Sequence, residues 1–125
     1  MPEPHVVLVG HCGFDSGSLR EAAERALPDV PVVRVNSDDE LAEYRSPEHL
    51  LLVNRKLDGD FAAEDGPHLI GDVTGSDAAP AALLISDLED AQSDAESRGA
   101  AAGFGKRDVH ADKATDRIKS AWPGG

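Results

Sequence analysis

The chain predicts an α/β fold, a three-layer sandwich in which one five-stranded parallel sheet is covered by helices on both faces. Three observations carry this reading. Short apolar or β-branched runs alternate with segments of helical periodicity from end to end. Two of those runs, 50–54 and 81–86, show little polar alternation, as strands buried on both faces do. Three Phe, one Tyr and one Trp are the whole aromatic content, so the core has to be built from Leu, Val, Ile and Ala, which suits helices layered on a sheet. A chain of 125 residues holds one core, and residues 1–122 are expected as a single domain with 123–125 as a frayed tail.

The elements follow in order. Residues 5–10 are β-branched and end on Gly10, giving the first strand. After a Gly/Ser-rich loop over 12–18, Ser18 and Glu21 have capping-box spacing. Leu19, Ala22, Ala23, Ala26 and Leu27 then repeat at helical intervals up to Pro28. Residues 30–36 form a second strand with Pro31 near its start, a position that belongs near a sheet edge. Ser37 and Glu40 repeat the capping-box pattern ahead of Leu41 and Tyr44, for a short helix ending before Pro47. The run 50–54 stops abruptly on Asn54 and is followed by charged, turn-forming residues through Gly59. Leu69, Ile70 and Val73 line a weak third helix, which Gly71 and Gly75 disfavour. A fourth strand covers 81–86, and a helix over 87–98 offers only Leu88, Ala91 and Ala95 for burial. A short last strand falls within 99–105. The chain closes on a helix over 112–122, with Ala114, Ile118 and Trp122 four residues apart.

Composition narrows the function. Twenty-four acidic against twelve basic residues give a formal charge of −12, which opposes binding to nucleic acid phosphates or to an anionic membrane and reads first as a solvated surface. Cys12 is the only cysteine, so no internal disulfide can form, and a reducing, cytoplasmic setting is expected. No run approaches the roughly 20 apolar residues that cross a bilayer.

In an open parallel sheet, chemistry collects at the carboxyl ends of the strands. Those ends carry Gly10 and His11, Asn54, Ser86 and Lys106. Their order, together with the stretches 50–59, 83–86 and 98–106, resembles the receiver domain of bacterial response regulators, the chemotaxis-type flavodoxin-like (βα)5 fold, over nearly the whole chain. The resemblance implies a pocket in which an acidic pair after strand one holds magnesium and an aspartate ending strand three accepts phosphate. A hydroxyl residue and a lysine ending strands four and five contact the phosphoryl group. Ser86 and Lys106 match the last two roles. The acidic pair falls on Gly10 and His11, and the phosphoacceptor on Asn54.

An amide is a poor nucleophile and brings no charge to a hard dication, so Asn54 is expected not to be phosphorylated, with Asp15 and Asp58 the nearest substitutes for the lost carboxylates. Asn54 and Lys106 are expected either to pair as a fixed mimic of one signalling state or to leave the lysine in solvent. Phe104 and Lys106 are two residues apart where the family's aromatic and lysine are three apart, a difference a bulge could restore. The loop 12–18 and the segment 58–65 are longer than the family's usual connections and flank the pocket, where they could offer a recognition surface. The resemblance therefore implies a degenerate receiver, acting in signalling by protein–protein interaction. It would be neither an enzyme nor dependent on a cofactor or metal. Its partner would be an unidentified signalling protein, or a second copy through the face formed by helix four, strand five and helix five.

Two other chemistries start from Cys12. Residues 12–18 have some similarity to the cysteine loops of phosphotransferase-system IIB proteins and low-molecular-weight phosphatases, where a helix amino terminus activates a thiol. The phosphatase arginine, however, falls on Ser18, and Asp15 would repel phosphate. A metal-binding variant would join His11 and Cys12 to His5, His49, His68 or His110, which only the fold could assemble. A flavin or nucleotide rests on fold analogy alone and lacks aromatic residues to stack on.

Overall fold

The computed structural model describes residues 3–75 and 78–123; of the expected tail, Gly124 and Gly125 lie outside the described residues. Five strands, β1 (Val6–Val9), β2 (Val32–Val35), β3 (Leu50–Asn54), β4 (Ala81–Ile85) and β5 (Ala101–Phe104), form one parallel sheet in the order β2-β1-β3-β4-β5. β1 and β3 are buried along their whole length, which is why their sequences run apolar without alternation. β2 lies at an edge, and Pro31 just before it contributes its carbonyl to Val6 N.

Helices α1 (Gly13–Ala26) and α5 (Asp112–Ala121) cover one face, and α2 (Asp38–Leu41), α3 (Gly66–Thr74) and α4 (Glu89–Ser97) the other. Strand residues sort by parity. Val6, Leu8, Leu50, Leu52, Leu83 and Ile85 pack toward α1 and α5, while Val7, Val9, Leu51, Val53, Ala82 and Leu84 pack toward α3 and its neighbours. No helix among the described residues is long and apolar enough to cross a membrane.

Three expectations need correction. Helix one begins at Gly13, so Ser18 lies inside it and 12–18 is the end of a short turn plus the first helical turns. Gly13 and Gly17 weaken the local signal, and docking supplies what propensity does not: Ser16 is buried, and both its backbone N–H and its hydroxyl donate to the Cys12 carbonyl. By contrast the Ser37 half of the Ser37–Glu40 box forms, its hydroxyl accepting from Glu40 N at 3.1 Å, while the Glu40 carboxylate accepts from Asn36 N, one residue before the cap, at 2.9 Å. Helix four is shorter than 87–98, and Leu88 is 53% exposed rather than on its buried stripe. What pins that helix is Gln92, whose amide donates to the carbonyls of Leu84 and Ser86. The bulge exists, but upstream: Leu83 pairs with Ala101 and Ile85 with Phe104, so the extra residue lies before Phe104 and leaves its spacing to Lys106 unchanged. The segment after β3 is tied to the end of β2. Asp60 bridges to Ser37, and Asp60 N donates to the Asn36 carbonyl at 2.8 Å, which closes it over the end of β2.

Candidate functional site

The order β2-β1-β3 reverses the direction of winding between β1 and β3, so a crevice opens at the carboxyl ends of those strands. Gly10 leaves β1 with φ of 73°, a conformation that only glycine takes without strain, and a Cβ there would lie 2.8 Å from a Leu57 methyl. Its carbonyl faces the end of β3 and accepts two hydrogen bonds, from the Asn54 side-chain amide at 2.9 Å and from Asp58 N at 2.8 Å. Asn54 is nearly buried, and one of its amide hydrogens is committed to β1.

His11 is fully buried. It sits 2.8 Å from the Leu52 carbonyl, which can only accept, so Nε2 carries the proton, while Nδ1 has no partner. Burial is the main reason its pKa falls to about 4, with the positive charges of Lys106 and Arg34 adding to it against the Leu52 bond and Asp15. A neutral imidazole therefore occupies the second acidic position.

Cys12 stands at the start of α1 and its thiol donates to Asp15 Oδ2 at 3.4 Å. The same oxygen accepts from Lys106 Nζ at 2.7 Å, a contact between residues far apart in the chain. That bond is the principal reason the Asp15 carboxyl titrates below its usual range. The expected pairing of Lys106 with Asn54 is not made, and the lysine does not simply point into solvent. With Phe104 packed in the core on the α1 side and Lys106 two residues on, the lysine leaves on that same side and finds Asp15. Asp58 is exposed and engages Gly10 through its backbone only. Ser86 is nearly buried at the end of β4, its hydroxyl accepting from Leu88 N at 3.1 Å.

Above Asn54 lies a cavity of about 330 Å³ lined by Asn54, Arg55, Lys56, Ile85, Ser86, Asp87, Leu88 and Lys106. Asn54, Ser86 and Lys106 line this one cavity, Gly10 and His11 are not in its lining, and Asp15 lies beyond the lysine. Arg55, Lys56 and Asp87 were not singled out as site residues; the first two follow Asn54 directly, and that adjacency was the available signal.

The histidines do not gather around Cys12. His5 and His49 stack with Tyr44 at the amino-terminal end of the sheet, and His110 faces Glu21. His68 has Glu64 Oε1 at 2.9 Å on one ring nitrogen and Asp65 Oδ1 at 2.6 Å on the other. These three groups are close enough together to be considered as metal ligands, but both imidazole nitrogens already face carboxylates, and the Asp65 bond foremost raises the His68 pKa.

No protein-family model matches the sequence, and neither does any curated protein. Solved structures do. The signal receiver domain of a DNA-binding response regulator (merR) from Colwellia psychrerythraea 34H superposes with a TM-score of 0.67 at 14% identity, over 95% of this chain and 97% of that one. The receiver domain of the putative response regulator NarL from Mycobacterium tuberculosis gives 0.59 at 23% identity, over 96% and 94%. The phosphorylated cyanobacterial phytochrome response regulator RcpA gives 0.62 at 16%, over 95% and 91%. At these identities the likeness is one of fold: the chain has the flavodoxin-like fold of response-regulator receiver domains.

Proposed function

We propose that the chain is a degenerate receiver that works in signalling by protein–protein contact and is not phosphorylated at Asn54. The observation that carries this reading is the Asn54 amide bonded to the Gly10 carbonyl. A side chain acting as a donor there, with no ionisable oxygen, cannot form an acyl phosphate. The surroundings support the same reading. Gly10 brings no side chain, His11 is neutral and buried, Asp15 is held by Lys106, and Asp58 is exposed with only its backbone tied to the site. A hard dication needs several carboxylate oxygens, and only Asp87 lines the cavity.

The contact surface we assign is the face of α4, β5 and α5, where Leu88 is half exposed and the strand side chains are small. Cys12 gains no support as a phosphocarrier, because the carboxylate beside its thiol would repel an incoming phosphate.

Intact-mass spectrometry after incubation with acetyl phosphate and magnesium tests the reading, and the mass is expected to stay unchanged. Phosphate on Asp15 or Asp58 would overturn it. Phosphate that disappears in Cys12→Ser would replace it by the thiol reading.

A further inference from the structure

We propose that two copies of this chain pair through the groove between α1 and the segment that follows β5, each lodging its Phe14 against the other. Phe14 stands in the first turn of α1, off the helix's buried stripe of Leu19, Ala22, Ala23 and Ala26, and it is 87% exposed. Leu88 is the other large apolar side chain that is exposed among the described residues. An apolar side chain exposed singly needs no explanation. Phe14, however, borders a cavity of about 290 Å³ whose other walls are Ser18, Leu19, Val109, His110 and the Asp15–Lys106 pair. The ring and an apolar recess therefore lie side by side on one surface. A surface that carries both the projection and the recess complements itself across a two-fold axis, where residue i of one copy meets residue j of the other and j meets i.

Charge selects a second copy as the occupant. With twenty-four acidic against twelve basic residues, two copies repel over most of their surface. The exception is α1 together with residues 105–121, which hold seven of the basic residues and six of the acidic ones, leaving eighteen acidic against five basic elsewhere. A cationic partner is drawn to that strongly acidic remainder, whereas the near-neutral face is where a second acidic chain can land. The two halves of the face also differ in sign. α1 carries Asp15, Glu21 and Glu24 against Arg20 and Arg25, while 105–121 carries five basic residues against three acidic. A two-fold axis that sets Phe14 in the other copy's groove lays α1 of one copy against 105–121 of the other, so an acidic half meets a basic half twice. Beyond about 8 Å charge is largely screened at physiological ionic strength, so this local balance governs the contact. The Asp15–Lys106 pair, closed at 2.7 Å within one copy, adds no net charge to the recess.

α1 and α4 lie on opposite sides of the sheet, so pairing through α1 leaves α4 free for the signalling contact proposed above. The experiment is sedimentation velocity of the full chain from about 1 μM to about 1 mM, with amide NMR on dilution over the same range. A 13.2 kDa monomer in reversible equilibrium with a dimer of twice that mass is expected. The dilution shifts should fall at 13–19 and 105–110. Phe14→Ala should raise the dissociation constant about tenfold or more, as loss of a central aromatic anchor does. The ring it removes is exposed, so an otherwise unchanged spectrum will show that the fold is kept. Leu88→Ala, which trims the other exposed apolar side chain, should leave the constant unchanged. A dimer that survives Phe14→Ala would overturn the proposal, as would a monomer throughout, which leaves the groove to a chain of another kind. A dimer lost in Leu88→Ala, with dilution shifts at 88–92 and 101–104, would overturn it too and place self-association on the α4, β5 and α5 face instead. None of these outcomes bears on phosphorylation, which the intact-mass test reads separately.

Discussion

Asn54 matters through the direction of one hydrogen bond. Its amide donates to the Gly10 carbonyl, which also takes Asp58 N, so an acceptor in its place would face an acceptor. Asn54→Asp is expected to destabilise the fold by about 1–3 kcal/mol in urea denaturation at neutral pH; unchanged stability would show that the bond contributes nothing. His11 makes a second residue-scale prediction. Its folded pKa of about 4 lies below the ordinary value of 6.5, so on acidification the unfolded chain takes up this proton first. The contribution of His11 is complete above about pH 6.5 and is lost as pH falls through 4, on the order of 3 kcal/mol in all. Urea unfolding between pH 7 and 4.5 should show the slope, and His11→Gln, which can still donate to Leu52, should flatten it. His68 runs the other way. With its folded pKa raised by the Asp65 bond, its stabilising effect is present below pH 6.5 and lost as pH rises through the folded value. Histidine NMR titrations should place His11 lowest and His68 above its ordinary value. The identities at 10, 11, 54, 86 and 106 could be read from the chain. The partner of Lys106 could not, because Asp15 lies far away in sequence and only the closing of α1 against the end of β5 brings it near.

At the scale of elements, glycines separate what local propensity decides from what packing decides. Gly66 begins α3 against the end of β3, and a Cβ there would lie 2.2 Å from the Asn54 carbonyl oxygen. Gly66→Ala is expected to cost about 1–3 kcal/mol by pushing the helix off the strand that carries the site. Gly17 is its opposite, an exposed position inside α1 with nothing within 4 Å, and Gly17→Ala should stabilise by about 0.5–1 kcal/mol. Thermal or chemical denaturation of the pair reads both signs. The same contrast explains which elements were legible. Strands β3 and β4 and helix α5 carry strong apolar patterns that are legible in the chain, and the Ser37–Glu40 spacing marks α2 because its bonds are local. The start of α1 is not legible because two glycines hide a turn that Ser16 anchors through burial. The bulge in β5 and the grip of Gln92 on β4 depend on neighbours that the local sequence does not display.

Across the whole molecule, the alternation of strands and helices makes a parallel α/β sandwich legible, whereas the order β2-β1-β3-β4-β5, and with it the crevice between β1 and β3, comes only with the structure. Among the described residues, Asp87 is the one carboxylate that lines the cavity over Asn54, and Asp15 is held beyond it by Lys106. The proposed function holds that this pocket, lined by one carboxylate, does not take up magnesium. Calorimetric titration with magnesium at physiological ionic strength tests that claim most directly. No saturable binding is predicted, and a one-site isotherm that vanishes in Asp15→Asn or Asp58→Asn would contradict it.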